Sequence, residues 1–119
     1  MATQHRIFAM PFGSVYPLYL AKVERKGRTR AELDAVIEWL TGHGAAALGD
    51  VMQRGDDMAS FFRDAPRMNP ARKDVRGVVC GVRVEEVEDP LMREIRILDK
   101  LVDELAKGRP LSKVLGPRA

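Results

Sequence analysis

The segment from Asp89 to Gly108, "DPLMREIRILDKLVDELAKG", most limits the folds that this chain can adopt. Its apolar residues recur at spacings of four and three, which places them along one face of a helix. Asp89 suits the N-terminal cap, Pro90 the first helical position, and Gly108 the end. Such a helix is stable only when other elements cover its apolar face, so the sequence predicts a packed helical domain. The residues of that face are Leu91, Ile95, Leu98, Val102 and Leu105.

A second strong helix signal lies in "TRAELDAVIEWLTG". Thr29 and Glu32 have the spacing of a capping box, and Gly42 is a natural stop. Three further segments have helical patterns. The sequence therefore predicts an all-α fold, a single compact bundle of about five or six helices spanning residues 1–119, with frayed termini. The three segments are residues 13–27, 45–55 and 56–66.

Residues 70–88, which include "GVVCGVRVEE", allow two interpretations. As a helix opened by Asn69 and Pro70, the segment would be apolar over most of its girth and therefore central. As a strand it has suitable β-branched residues, but its only partner would be the start of the chain. The helix is favoured. The alternative is an α+β fold with a small strand pair from residues 5–10 and 77–84.

Cys80 is the only cysteine and lies between valines and glycines. A nucleophilic cysteine needs a base, and the two histidines, His5 and His43, are distant in sequence. The sequence therefore predicts a buried and inert Cys80 and no catalytic residue. The acidic run "EEVED" lacks the spacing of a calcium loop, and no histidine pair has zinc-ligand spacing, so we expect neither a metal nor another cofactor.

The bulk composition indicates a protein of the cytoplasm with no membrane association. No apolar run approaches the roughly 20 residues of a membrane-spanning helix, and the first residues make a poor signal peptide. A single cysteine permits no internal disulfide, as is typical of reducing compartments.

The net charge of +3 is concentrated in "KVERKGRTR". This run is a candidate for weak nucleic-acid binding, since basic clusters attract phosphates. It is accompanied by no recognition motif and no stacking aromatics, so a solvated helix end explains it better. The candidate residues are Lys22, Arg25, Lys26, Arg28 and Arg30.

A small-ligand-binding protein, or an enzyme, with a pocket near Tyr16, Tyr19, Trp39 and Arg83 is the alternative function. Tyr16, Tyr19 and Trp39 lie on predicted helices that we expect to be neighbours, and aromatic side chains with polar tips often line such pockets. Arg83 and Glu85 would supply polar contacts to the ligand. Packing in the core and at its rim explains the same residues more simply.

Several segments, in order, resemble a family of small bacterial proteins known as domain of unknown function 2200. They are "HRIF", "SVYPLY", "KGR", "WLTG", "MNPAR", "GVVCGVRVEE" and "DPLMREIRILDKLVDELAKG". The resemblance spans about residues 4 to 115. It implies a small single-domain bacterial protein, and it implies no activity, cofactor or catalytic residue.

The sequence favours a non-enzymatic interaction module that forms a homo-oligomer over an enzyme. Met92, Ile97 and Leu101 widen the apolar arc of the final helix beyond what one neighbour would cover. A second copy related by a two-fold axis would cover the shoulder at Ile97, so we expect a dimer. In the alternative, the tail "PLSKVL" folds back over this shoulder through Leu111, Val114 and Leu115.

Overall fold

The computed structural model describes residues 6–116. Residues 1–5 and 117–119, and with them His5 and the predicted frayed ends, lie outside the described residues. Within the described range the prediction of an all-α fold is confirmed, with a small antiparallel strand pair added. The helices are α1 Arg6–Ala9, α2 Phe12–Glu24, α3 Arg30–Thr41, α4 Ala45–Arg54, α5 Met58–Arg63, α6 Pro90–Ala106 and α7 Leu111–Val114. The strands are β1 Val78–Val79 and β2 Val82–Arg83, and 3₁₀ helices span Pro70–Asp74 and Val84–Glu86.

Helix α6 is the centre of the molecule. It packs against α2, α3, α5 and α7, and against the strand pair on another side. Leu98, Leu101 and Val102 are completely buried as a result. The wide apolar arc read from the sequence is therefore covered by several neighbours within one chain.

The start and stop of α3 are those predicted. The Thr29 hydroxyl accepts a hydrogen bond from the Glu32 N–H at 3.2 Å, and the Thr29 N–H donates to the Glu32 carboxylate at 3.0 Å. Gly42 ends the helix in the left-handed conformation, with a φ of 82°. These contacts satisfy backbone groups that a helix end leaves without partners.

The favoured helix over residues 70–88 is wrong. A 3₁₀ helix begins after Asn69, whose side chain accepts from the Ala71 N–H, but it ends at Asp74. The chain then forms a hairpin in which Val79 pairs with Val82. The predicted alternative was right about a strand pair and wrong about the partner, because residues 6–9 are helical and the two strands pair with each other.

The hairpin turn explains why a helix is impossible here. Cys80 and Gly81 have φ angles of 52° and 78°, the combination of a two-residue type I′ turn. Gly77, with a φ of 113°, also lies outside the helical region. The turn lifts Cys80 out of the core, so the predicted burial of Cys80 is also wrong and its thiol is exposed.

Ile97 does not form an exposed shoulder. Only 2% of its surface is exposed, because residues 72–88 fold over this side of α6. The tail does fold back, with Val114 fully buried, and α7 packs against α6 and α3. The reason given for a dimer through Ile97 therefore fails, although the dimer itself stays a prediction.

Among residues 6–116, none of the helices combines the length and the apolar character that a membrane crossing requires.

Candidate ligand cleft

A cleft of about 620 Å³ lies between the first half of α6 and the segment 72–88. We call it the arginine cleft. Its polar lining is four basic and three acidic side chains: Arg72, Lys73, Arg76 and Arg93, and Glu85, Glu88 and Glu94.

Helix α6 supplies one wall through a single face. Pro90, Arg93, Glu94 and Ile97 follow the spacing i, i+3, i+4, i+7, so they lie on one side of the helix. Two of these side chains are charged and point into the cleft region beside the buried Ile97. This face therefore combines an apolar base with a polar rim.

The opposite wall is attached to α6 through Arg72. The Arg72 Nε donates to both carboxylate oxygens of Glu94, at 2.8 and 3.1 Å, and its Nη1 donates to the Asn69 carbonyl at 2.9 Å. Both side chains of this ion pair are about four-fifths buried, so solvent screens it less than a surface pair. The charge of Arg72 is therefore neutralised within the protein.

Arg93 is held differently. Its Nε donates to the Val87 carbonyl at 2.8 Å and its Nη2 to the Glu85 carbonyl at 3.3 Å. Among the ion pairs of residues 6–116 none involves Arg93. Two backbone carbonyls thus fix the position of a guanidinium whose positive charge has no carboxylate partner.

The floor of the cleft is apolar and firmly built. Val75, Val84 and Ile97 each keep at most 2% of their surface exposed. The Val84 N–H donates to the Gly77 carbonyl, and the Gly77 N–H donates to the Glu85 carboxylate, both at 3.0 Å. The hydrogen bond from Gly77 also lowers the pKa of Glu85, so Glu85 is ionised at neutral pH.

The aromatic residues predicted to share a pocket lie in separate places. The hydroxyl of Tyr16 donates to Asp34 on α3, and that of Tyr19 donates to Asp99 on α6. Both rings are buried in the core. Trp39 lines a different cleft, beside Pro66 and Pro70.

The two polar candidates for that pocket lie on the hairpin side of the molecule. Arg83 and Glu85 approach each other to 3.8 Å. Arg83 lines a shallow depression with Val78 and Val82, whereas Glu85 lines the arginine cleft. Of the five predicted ligand-binding residues, only Glu85 therefore borders this cleft.

Two residues of the basic run, Lys22 and Arg28, have partners within the fold. Lys22 forms an ion pair with Asp103 at 3.1 Å. Arg28 pairs with Glu32 and also donates to the carbonyls of Leu105 and Arg109, at the end of α6. The remaining three, Arg25, Lys26 and Arg30, are exposed. They are too few and too close to a helix end to favour nucleic-acid binding over solvation.

His43 and Cys80 are not arranged for catalysis together. His43 is buried and stacks on Phe61 with ring centroids 4.6 Å apart, and its Nε2 lies 3.1 Å from the Phe61 carbonyl. The nearest described polar partner of Cys80 is Asp99, at 3.9 Å. Within residues 6–116 no three histidine, cysteine, aspartate or glutamate side chains form a group that could hold a metal ion.

Comparison with known proteins identifies the family. A model described as "Uncharacterized protein conserved in bacteria (DUF2200)" matches residues 6–116. The chain belongs to the DUF2200 family. A crystal structure titled as that of the uncharacterised protein SP1917 is similar, with a TM-score of 0.89 and 44% sequence identity. The similarity covers 97% of this chain and 94% of that one. No functionally curated protein gives a significant match.

Three of the segments that carry the DUF2200 resemblance meet at the arginine cleft. "MNPAR" contributes Arg72, "GVVCGVRVEE" contributes Val84 and Glu85, and the final helix contributes Arg93 and its neighbours. Sequence reasoning missed the cleft because the segments are separated along the chain. The available signal was the mixed face of α6, where charged and apolar residues share one helical stripe.

Proposed function

We propose that this DUF2200 protein binds a small ligand in the arginine cleft. The observation that supports the proposal is the guanidinium of Arg93, which two carbonyls hold in place beside an apolar floor and which lacks a carboxylate partner. Small-ligand sites are usually concave and apolar, with a few fixed polar groups that orient the ligand.

Binding is favoured over catalysis by the chemistry of the lining. The residues that line the cleft include no serine, threonine, cysteine, histidine or tyrosine. This lining favours binding over catalysis by a serine, cysteine or histidine, while Lys73 and the three glutamates are the groups that could still act as acids or bases.

Fragment screening by NMR tests the proposal. We expect several fragments to shift the backbone amide signals of Val84, Glu85 and Ile97 in a saturable manner. The substitution Glu88→Trp should block these shifts, because it places a bulky side chain at the rim of the cleft. The fold should tolerate the change, since Glu88 is exposed and makes none of the described hydrogen bonds. Glu24→Trp, exposed at the end of α2, is the matched control. Fragment shifts absent from the cleft, or unchanged by Glu88→Trp, contradict the proposal.

A homo-oligomer is the second candidate. The observation that favours it lies in the hairpin and not at Ile97. Val78 and Val82 are 50% and 38% exposed, and exposed apolar side chains on a strand pair suit association with another chain. Light scattering at tens of micromolar should give twice the chain mass of 13.3 kDa. Val78→Lys should then restore the monomer, and Leu18→Lys on α2 is the control. A monomeric mass for the unaltered protein rejects this candidate.

A further inference from the structure

We infer that the ligand of the arginine cleft is a small organic monoanion, a carboxylate attached to a short apolar body. This inference rests on the proposed function, because it names the chemistry of a ligand for the same cleft. Three features support it: the charge balance of the lining, the position of one fixed cation, and the apolar floor.

The charge balance fits one negative charge. Four basic and three acidic side chains line the cleft, which leaves a single positive charge for a ligand to neutralise. A polyanion such as a nucleotide phosphate would bring several negative charges close to Glu85, Glu88 and Glu94. Repulsion between these like charges opposes binding. The lining therefore favours a monoanion over a polyphosphate.

The carboxylate of the ligand has one well-defined binding position, at the guanidinium of Arg93. Arg72 already uses its guanidinium on Glu94, whereas Arg93 is committed only to two carbonyls and its Nη1 makes none of the described hydrogen bonds. A carboxylate at Arg93 would gain a charge-assisted hydrogen bond without breaking an internal ion pair. Arg76 is exposed on the same cleft, with no ion pair among residues 6–116, and adds positive potential.

The floor defines the rest of the ligand. Val75, Val84 and Ile97 lie at the base of the cleft with at most 2% of their surface exposed, so the apolar body of the ligand would lie mainly against Pro90 and the aliphatic stems of the charged lining side chains. A short alkyl chain or a flat ring in the cleft would have part of its apolar surface removed from water. Each methylene group that becomes fully buried strengthens binding by up to about fourfold. Affinity should therefore rise from acetate to butyrate to hexanoate.

Titration with three probes tests the inference. Hexanoate, its neutral analogue hexanamide and inorganic phosphate are added at matched ionic strength, and NMR shifts of Val84 and Ile97 report occupancy. We expect hexanoate to bind about tenfold more tightly than hexanamide, because only the carboxylate forms a charge-assisted hydrogen bond with Arg93. We also expect hexanoate to bind more tightly than phosphate.

Arginine variants locate the head group. Arg93→Gln should reduce hexanoate affinity to that of hexanamide, and Arg76→Gln should reduce it severalfold. Arg25→Gln, an exposed arginine on the end of α2, should leave it unchanged. If Arg93→Gln unfolds the hairpin side, Arg76→Gln decides alone, since Arg76 makes none of the described hydrogen bonds.

The outcomes separate this inference from the proposed function. Equal affinities of hexanoate and hexanamide in the cleft would show a ligand site without anion recognition, which overturns only the inference. Tighter binding of phosphate also overturns it, as does hexanoate affinity that is unchanged by both cleft variants. Absence of any probe from the cleft overturns the inference, while the fragment screen decides separately whether the cleft binds ligands at all.

Discussion

Tyr16 and Tyr19 each donate a hydroxyl hydrogen bond to an aspartate on a neighbouring helix. Burial raises the pKa of both phenols above its ordinary value near 10, and the negative charges of Asp34 and Asp99 raise it further. These residues link α2 to α3 and to α6. Their polar tips serve packing of the core, which was the simpler of the two sequence interpretations.

We expect neither tyrosine to ionise in the folded protein at about pH 11. Because the pKa of each phenol is higher in the folded than in the unfolded chain, the protonated phenols stabilise the fold. This contribution to the free energy of unfolding is fully present below the unfolded pKa near 10 and is lost as pH rises towards the folded pKa. An alkaline titration followed by tyrosinate absorbance measures it, since the chain has only two tyrosines. Asp34→Asn should lower the pKa of Tyr16. Titration of both phenols near pH 10 before unfolding would contradict the expectation.

Glu32 should make the protein sensitive to acid. The hydrogen bond from Arg28, followed by that from the Thr29 N–H, lowers the pKa of Glu32 to about 2. A lowered folded pKa gives stability that is present above the unfolded pKa, near 4.3, and lost as pH falls towards 2. Urea unfolding at a series of pH values should therefore show that the free energy of unfolding falls less between pH 5 and about 2 in Glu32→Gln than in the unaltered protein. Glu24→Gln, at an exposed residue of α2, should show the same fall as the unaltered protein.

Sequence reasoning located residues correctly where their interaction partners are only a few positions away in the chain. Thr29 and Glu32 are three residues apart, so the capping box could be recognised from spacing alone. The role of Arg93 could not be recognised, because it depends on the carbonyls of Val87 and Glu85 in a loop whose path only the folded chain defines.

At the scale of elements, the hairpin shows where local pattern is ambiguous. A short valine-rich run fits a buried helix and a strand equally well, and the usual type I′ turn signal, Asn-Gly, is absent. Cys80 occupies the asparagine position of that turn with a φ of 52°. The long helices α3 and α6, with many repeats of one period and clear caps, left no such ambiguity.

Cys80→Asn should therefore stabilise the protein, by about 0.5 kcal/mol, because asparagine tolerates the left-handed conformation better than cysteine does. Cys80→Val should destabilise it by about 1 kcal/mol or more, since a β-branched residue is strained there. Urea unfolding at neutral pH measures both changes. A Cys80→Val protein as stable as the original would mean that the turn differs from type I′.

At the scale of the whole molecule, Ile97 belongs to the folded core of one chain. Ile97→Asp should lower the free energy of unfolding by about 3 kcal/mol or more, because it buries a charge without a partner. Thermal or urea denaturation measures this loss. Leu18→Asp, at a side chain 64% exposed, is the control and should change stability little. A stably folded Ile97→Asp protein that differs only in oligomeric state would restore the original dimer hypothesis.

The central place of α6 also has a consequence for the order of events during synthesis. The helices α2, α3 and α5 precede α6 in the chain, yet each of them packs against it. A ribosome that adds about 5–20 residues per second needs roughly 4 to 17 seconds to produce residues 6–89. Throughout that interval the nascent helices have no completed core. A fragment ending before Pro90 should therefore fail to fold, because it lacks the helix on which α2, α3 and α5 pack.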